Sequence, residues 1–179
     1  MDAWKIDPRG LLPAAQFIAS PNQDARPQDT EISMAVIHNI SLPPGQYGSD
    51  DVASLFCNQL DPQAHPYFAG IYQHQVSAHF FIRRTGSLLQ FVPCLRRAWH
   101  AGVSSWQGRE RCNDFSVGIE LEGCDTEAFE NAQYEALDQL LHALKQAYPI
   151  MDIVGHSDIA PGRKTDPGPC FDWKRIKTD

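Results

Sequence analysis

The sequence predicts a single mixed α/β domain in which one central mixed β-sheet is flanked by helices. Short apolar runs with strand-like composition recur along the chain, and one long stretch has helical periodicity. Of the 179 residues 42% are hydrophobic, and nine Phe and four Trp are enough for one sizeable core. We therefore expect one domain over residues 1–179, with strands and helices packed in layers.

The first predicted strand is the apolar, β-branched run Met34–Ile40, which is followed by Pro43, Pro44 and Gly45. His38 lies near the C-terminal end of this strand, beside a polar stretch. Residues 43–72 are rich in Pro, Gly, Asp and Gln. We expect a long functional loop there, with one short helix at residues 52–60.

The middle of the chain predicts three further strands. Residues 76–82 and 88–92 flank a Gly-containing connection of hairpin length, which indicates an antiparallel pair. Residues 115–121 alternate strictly between apolar and other side chains. Because successive side chains of a strand point to opposite faces, Glu120 is expected on the face opposite the apolar residues.

The C-terminal third predicts one long helix and one strand. Apolar residues recur at three- and four-residue intervals over residues 127–148, with Thr126 as a possible N-cap and Pro149 just past the end. Residues 150–156 are expected to form a strand. A last amphipathic turn is expected over residues 171–176.

The amino-acid composition and the net charge favour some kinds of binding partner over others. The formal net charge of -7 disfavours binding to nucleic acids, which are held mainly by clustered Lys and Arg. No apolar run is long enough for a membrane span, and the N-terminal one is too short for a signal segment. Five scattered cysteines without a C-x-x-C pair indicate reduced structural thiols. We expect a cytoplasmic monomer that acts on a small molecule, without nucleic-acid or membrane partners.

Two histidines are candidates for metal ligands, because His38 and His156 each end a predicted strand beside a polar loop. The Pro- and Gly-rich loop after His156 could fold back and bring Asp166 to the same metal. Zinc binds imidazole and carboxylate groups, and a catalytic zinc site has three ligands from the protein. Spacing alone leaves alternatives open: Asp158 is a rival carboxylate, either Asp could cap a turn, and the same ligands could hold non-haem iron.

Four stretches of the chain carry a family resemblance: V-I-H-N-I-S-L-P-P-G, R-A-W-H-A-G-V-S-S, G-R-E-R-C-N-D-F-S-V-G-I-E-L-E-G and G-H-S-D-I-A-P-G-R-K-T-D-P-G-P. Over residues 32–173 the chain resembles the type 2 N-acetylmuramoyl-L-alanine amidases, whose fold is shared by phage amidases and peptidoglycan recognition proteins. The resemblance implies hydrolysis of the amide bond between the lactyl group of (1,6-anhydro-)N-acetylmuramic acid and L-alanine, in cytoplasmic peptidoglycan recycling.

The resemblance also implies one bound zinc ion. The positions that match the family's zinc ligands are His38, His156 and Asp166. Phage and animal relatives have Cys as the third ligand and Tyr before the histidine of the second strand, whereas this chain has Asp166 and Ala78. It therefore resembles the recycling enzymes more than those relatives. His79 and His100 are candidates for orienting the ligands, a role that zinc sites commonly need.

Two catalytic roles follow from the chemistry that zinc supports. Zinc lowers the pKa of a bound water, but attack on an amide still needs a base and an acid. Glu120 is our choice for both, and the resemblance assigns the same residue; from its strand alone it could equally be an exposed carboxylate. Lys164 matches the residue that, together with zinc, stabilises the oxyanion. A solvated loop lysine is its alternative.

The positions that match the family's substrate cleft are Asn39, Trp99 and Arg111. A guanidinium can bind a peptide carboxylate through two hydrogen bonds, although Arg111 could instead pair with a neighbouring acid. Gln75 stands where close relatives lead us to expect Arg. The competing class of function is a module that binds peptidoglycan without cutting it, and the joint presence of Asp166, Glu120 and Lys164 favours the enzyme. A secreted wall amidase is a further alternative, disfavoured by the missing signal segment.

Overall fold

The computed structural model describes residues 3–176. Its ten strands are β1 Gln16–Phe17, β2 Gln23–Ala25, β3 Met34–Ile40, β4 Phe80–Ile82, β5 Leu88–Gln90, β6 Arg96–Ala98, β7 Ser105–Trp106, β8 Arg109–Glu110, β9 Ser116–Glu122 and β10 Asp152–Gly155. Its three α-helices are α1 Asp51–Phe56, α2 Asn131–Ala147 and α3 His156–Ile159. Short 3-10 turns are found at Phe68–Gly70, Cys112–Asp114 and Trp173–Arg175.

Six strands form the central sheet in the order β1-β5-β4-β9-β3-β10. Only β4 and β5 pair antiparallel in this sheet, and the other neighbours are parallel. The predicted mixed sheet is therefore confirmed. The two longest strands, β3 and β9, lie side by side at its centre, paired from Met34 with Ser116 to Ile40 with Glu122. Because they are parallel, their C-terminal ends meet at one edge.

One face of the sheet packs against α2. Ile37 of β3 and Ile119 of β9 belong to the same buried cluster as the helix residues Leu137, Leu140 and Leu144. The apolar spacing of α2 is what makes this possible, since residues three or four apart lie on one side of a helix. Burying each of these side chains contributes roughly 1.5–3 kcal/mol.

The opposite face of the sheet is covered as well. Near β4 and β5 it packs against α1, where Phe56 stacks edge-on against Phe91 at 5.2 Å between ring centroids. Near β3 and β10 it packs against the segment that includes Ala101 and Phe115. Every residue of β9 is buried, as is typical of a central parallel strand. The alternation placed Glu120 on the correct face, but most of that face is covered, so Glu120 is buried and not an exposed carboxylate.

Several predicted boundaries were wrong. The long helix begins at Asn131 and not after Thr126, because Glu130 is extended and its N–H is bound by the Gln133 side chain at 3.0 Å. Helix α1 ends at Phe56, two residues before Asn58 takes a left-handed conformation. His156 does not end a strand but begins α3. The expected strands around residues 76–92 are confirmed but shorter.

Several short strands whose residues follow no hydrophobic pattern were not predicted from the sequence. The hairpin of β7 and β8 turns through Gln107 and Gly108, both with positive φ, which matches the tight turns typical of two-residue hairpins. Strands of two or three residues with polar side chains have no periodicity to detect. Within residues 3–176, no helix has the length and apolar character required to cross a membrane.

Candidate metal centre

Two histidines and one aspartate converge at the C-terminal edge of the central strands. His38 Nδ1 lies 3.0 Å from His156 Nδ1, and Asp166 Oδ2 lies 2.9 Å and 3.1 Å from these two nitrogens. Among residues 3–176 these three form a group of side chains able to hold a metal ion. The structure thus brings together the three residues that the sequence analysis assigned to the metal.

The strand pairing explains how residues so far apart in sequence meet. Gly155, the last residue of β10, pairs with Ile37 of β3, so the residues that follow them in the chain, His156 and His38, reach the same edge. The loop after α3 returns to this point because the Ser157 N–H donates to the Asp166 carbonyl at 2.9 Å. The loop is also bound from β3, where Asn39 Nδ2 donates to the Pro167 carbonyl at 3.0 Å.

The rival carboxylate has a different role. Asp158 Oδ2 accepts the Gly155 N–H at 2.7 Å and so caps the start of α3. It is not part of the convergent group. Asp158 therefore takes the capping role that the sequence left open for it.

The arrangement fits a small cation such as zinc. Four ligands about 2.0 Å from a tetrahedral ion lie roughly 3.3 Å apart, close to the separations found here. Burial lowers the pKa of His38 to about 4, which keeps its ring neutral. Burial opposes ionisation of Asp166, but the adjacent His156 and His38 rings outweigh it and hold the pKa of Asp166 well below its usual range. A neutral imidazole and a carboxylate are the forms that bind a metal.

The outer nitrogens of both histidines have partners. His156 Nε2 lies 3.1 Å from the Ala101 carbonyl oxygen, and His38 Nε2 lies 2.9 Å from His100 Nδ1. Burial, together with the neighbouring His38, lowers the pKa of His100 well below its usual value, so this ring is neutral too. His79, the other candidate for orienting a ligand, binds the Gly118 N–H and lies near the Arg96 carbonyl instead.

Glu120 is buried beside this group. It pairs with His38 across β3 and β9, and its Oε2 has no hydrogen-bond partner in the described structure. Burial and the negative charge of Asp166 raise the pKa of Glu120 well above its ordinary value, while the charge of Lys164 opposes that rise. A buried carboxyl group without a hydrogen-bond partner lowers the stability of the fold. Carboxyl groups with such perturbed pKa values cluster at functional sites.

An open cleft of about 540 Å³ leads to these groups. Its lining includes Asn39, Trp99, Glu120 and Lys164, together with the three convergent side chains. Lys164 is exposed, and its charge acts on both His38 and Glu120. Asn39 uses its amide nitrogen to hold Asp125 at 2.7 Å as well as the Pro167 carbonyl.

Arg111 lies apart from the other predicted substrate residues. It has a left-handed backbone (φ 60), its side chain is 69% exposed, and its Nε lies 3.3 Å from Asp114. It lines a neighbouring groove with Gly102 and Arg163. Arg163, which the sequence analysis did not select, lines both this groove and the main cleft, so the two are adjacent. Its position next to Lys164 was the only sequence signal for it.

Comparison with known proteins agrees with this geometry. A family model described as N-acetylmuramoyl-L-alanine amidase matches residues 28–169, which contain all three convergent side chains and Glu120. The chain belongs to the N-acetylmuramoyl-L-alanine amidase family. It is accordingly an enzyme of the amidase class, and the resemblance noted in the sequence is confirmed.

Close relatives of this amidase carry a more specific name. The 1,6-anhydro-N-acetylmuramyl-L-alanine amidase AmpD of Citrobacter freundii is 56% identical over 170 residues, covering 94% of this chain and 91% of the relative. A crystal structure of a selenomethionine AmpD derivative superimposes with a TM-score of 0.92 at 56% identity, covering 94% of this chain and 95% of the other. The predicted amidase fold is thereby confirmed.

A more distant amidase has been solved with substrate. The Escherichia coli amidase AmiD, in complex with anhydro-N-acetylmuramic acid-L-Ala-D-γ-Glu-L-Lys, superimposes on this amidase with a TM-score of 0.61 at 33% identity. The match covers 84% of this chain and 58% of AmiD. AmiD therefore has additional chain outside the shared part.

Proposed function

We propose that this amidase hydrolyses the amide bond between the lactyl group of 1,6-anhydro-N-acetylmuramic acid and the L-alanine of the stem peptide. We propose further that one zinc ion, held by His38, His156 and Asp166, is required. The observation that carries the proposal is the convergence of these ligand atoms within about 3 Å beside the unpartnered carboxylate of Glu120. The names of the relatives at 56% identity support the substrate class.

Glu120 is proposed as the group that moves the proton. When bound, zinc would polarise the scissile carbonyl and make a water molecule a competent nucleophile at neutral pH. Glu120 takes a proton from the attacking water, whose oxygen bonds to the carbonyl carbon. It then delivers that proton to the nitrogen of L-alanine as the C–N bond breaks. Its Oε2 has no hydrogen-bond partner in the described protein, so no protein donor competes for it in either transfer.

Lys164 is proposed to stabilise negative charge on the reacting carbonyl oxygen. Its ammonium lies at the rim of the cleft, and its charge favours the ionised form of Glu120. A fixed positive charge contributes most where charge develops in the transition state. Lys164 therefore has two effects that act in the same direction: it opposes the rise in the pKa of Glu120 and it lowers the energy of the oxyanion.

The substrate contacts are also proposals. Trp99 lines the cleft and offers an apolar wall for the sugar or the peptide, whereas Asn39 lines it next to the ligand His38. Arg111 and Arg163 line the neighbouring groove, and we propose that they bind carboxylates of a stem peptide that extends into it. The cytoplasmic location and the monomeric state stay predictions, to be tested by cell fractionation and by light scattering.

The decisive experiment is mass spectrometry of the purified protein incubated with anhydromuramyl-tripeptide. It is run on untreated protein, on chelator-treated protein and on treated protein with zinc restored, with metal analysis of each sample. We expect free tripeptide and anhydro-N-acetylmuramic acid, lost on chelation and recovered with zinc. Cleavage that survives complete metal removal would overturn the zinc proposal. Absence of cleavage by the zinc-loaded protein would overturn the substrate, and absence of both metal and cleavage would favour a binding module.

A further inference from the structure

A chain of hydrogen bonds runs from the outer nitrogen of His38 to a backbone carbonyl. His38 Nε2 lies 2.9 Å from His100 Nδ1, and His100 Nε2 lies 3.1 Å from Ser116 Oγ. Ser116 Oγ in turn donates to the Cys112 carbonyl at 2.6 Å. We name these three links the His38 relay.

The last link determines the direction of all the others. A carbonyl oxygen only accepts, so the single hydroxyl proton of Ser116 is committed to Cys112. Ser116 Oγ can then only accept, which requires the proton of His100 to be on Nε2. His100 Nδ1 therefore has a lone pair to which His38 can donate from Nε2, although Asp166 Oδ2, 2.9 Å from His38 Nδ1, competes for the same proton while no metal is bound. In a neutral ring this leaves the lone pair of His38 on Nδ1, the atom that faces Asp166 and His156.

The second histidine is held by the same segment. His156 Nε2 lies 3.1 Å from the carbonyl of Ala101, the residue after His100, and a carbonyl again requires the proton on Nε2. Both backbone N–H groups of this dipeptide donate to Asn113 Oδ1, at 3.1 Å from His100 and 2.8 Å from Ala101. The turn Cys112–Asp114 thus holds the dipeptide in place and also accepts the end of the relay.

We propose that His100 and Ser116 are positioning residues that hold His38 in its Nε2–H tautomer, so that Nδ1 presents a lone pair to the metal. This inference rests on the zinc site proposed above. It assigns a function to a fully buried serine that touches neither the metal ligands nor the cleft. Substitution of a residue that hydrogen-bonds a metal ligand commonly weakens metal affinity by about 10- to 100-fold.

A packing role for Ser116 would make different predictions. Loss of packing lowers the stability of the fold without selecting one ring nitrogen of His38. Loss of the relay removes the constraint on the His100 proton, so the share of the Nε2–H tautomer of His38 falls in metal-free protein, where Asp166 competes for the proton. The tautomer is therefore the measurement that separates the two roles.

The test uses full-length protein with ¹⁵N-labelled histidine and compares four variants with wild type. Ser116→Ala breaks the relay, and Ser116→Thr keeps the hydroxyl. His100→Phe removes the acceptor for His38, and His100→Asn can place an amide oxygen at the Nδ1 position. The matched control is Ser20→Ala, since Ser20 is also buried and donates to a backbone carbonyl, that of Phe56. Long-range ¹H–¹⁵N spectra give the tautomer, and chelator competition gives the zinc affinity.

In metal-free protein we expect the same share of the Nε2–H tautomer of His38 in wild type, Ser116→Thr, His100→Asn and Ser20→Ala. We expect a smaller Nε2–H share, and zinc affinity about 10-fold weaker or more, in Ser116→Ala and His100→Phe. The relay is refuted if metal-free wild type shows only the Nδ1–H tautomer, or if Ser116→Ala leaves the Nε2–H share and the zinc affinity unchanged. Failure of wild type to bind zinc would instead refute the proposed metal site, because the metal-free spectra test the relay independently.

Discussion

His38 and Glu120 stand directly opposite each other on the two central parallel strands, His38 on β3 and Glu120 on β9. Their side chains point to the same face, so a proposed metal ligand and the proposed base are neighbours by virtue of strand register alone. A slip of one residue would turn Glu120 toward α2. The seven-residue pairing of the two strands therefore determines the geometry on which the proposed catalysis depends.

Replacing Glu120 with Gln should abolish most of the activity. The amide keeps the size of the side chain but cannot take a proton from water, so we expect kcat to fall by roughly 10²- to 10⁴-fold with little change in KM. Steady-state hydrolysis of anhydromuramyl-tripeptide measures this. Zinc content should match that of wild type, since Glu120 is not one of the convergent ligands. Retention of more than a tenth of wild-type kcat would remove Glu120 from the mechanism.

The same substitution should stabilise the metal-free protein at neutral pH. Burial raises the pKa of Glu120 in the folded state, so the folded protein binds this proton more tightly than the unfolded chain. The resulting stability is present at low pH and is lost as the pH rises from the unfolded pKa, about 4.3, through the folded one. Glutamine does not ionise and suffers no such loss.

We therefore expect the melting temperature of metal-free Glu120→Gln to exceed that of wild type by about 2–4 °C at pH 7, equivalent to roughly 1 kcal/mol for a chain of this size. The difference should vanish near pH 4. Calorimetry at the two pH values measures both quantities. A variant that is less stable than wild type at pH 7 would contradict the assignment of Glu120 as a destabilised buried acid.

Zinc should stabilise the protein through Asp166 and not through Asp158. Zinc at about 100 times its dissociation constant adds roughly 2.7 kcal/mol of stability to a protein that binds it only when folded. We expect a rise in melting temperature of about 5–10 °C when zinc is returned to chelator-treated wild type. Asp166→Asn should lose most of this rise.

Asp158→Asn is the matched control. It weakens the cap on Gly155 and should lower the melting temperature, but the rise on adding zinc should stay the same. Thermal shift assays with and without zinc compare the two variants directly. An equal loss of the zinc-dependent rise in both would mean that the assay reports local folding of the loop and not metal binding.

Gly118 should tolerate no side chain, because it forms the floor beneath His100. A Cβ atom added there would lie 2.4 Å from Cγ of the His100 ring, so the ring would have to move. We expect Gly118→Ala to weaken zinc binding by about 10-fold or more through His38. Gly70→Ala is the control, since a Cβ at Gly70 meets nothing within 4 Å. Zinc affinities of the two variants, measured by chelator competition, should differ accordingly.

Arg111 should matter only for substrates whose peptide is long enough to reach it. It lines the groove beside the main cleft, so we expect Arg111→Ala to raise KM for anhydromuramyl-tripeptide by about 10-fold with unchanged kcat. The KM for anhydromuramyl-L-alanine should not change. Arg109→Ala is the control, because the Arg109 guanidinium stacks on Phe115 at 3.7 Å and supports the fold. Equal KM values for wild type and Arg111→Ala on both substrates would exclude the contact.

Local sequence patterns were sufficient for the main elements. Met34–Ile40 is a strand over the range its β-branched run predicts, and the apolar spacing behind α2 identified the helix that covers the sheet. Its start was misplaced because the N-cap depends on Glu130, whose carboxylate pairs with Arg84 from a distant part of the chain. A local pattern does not contain such a contact.

The amino-acid sequence by itself predicted the class of fold and the side chains proposed to carry the chemistry, which are His38, His156, Asp166, Glu120 and Lys164. Strand periodicity and residue type are local properties, and a family motif preserves them. Only the tertiary structure decided that Asp158 caps a helix, that Arg111 lies in a separate groove, and that Ser116 is bonded to His100. These depend on distances between segments far apart in the chain, which form only when the strands pair in register.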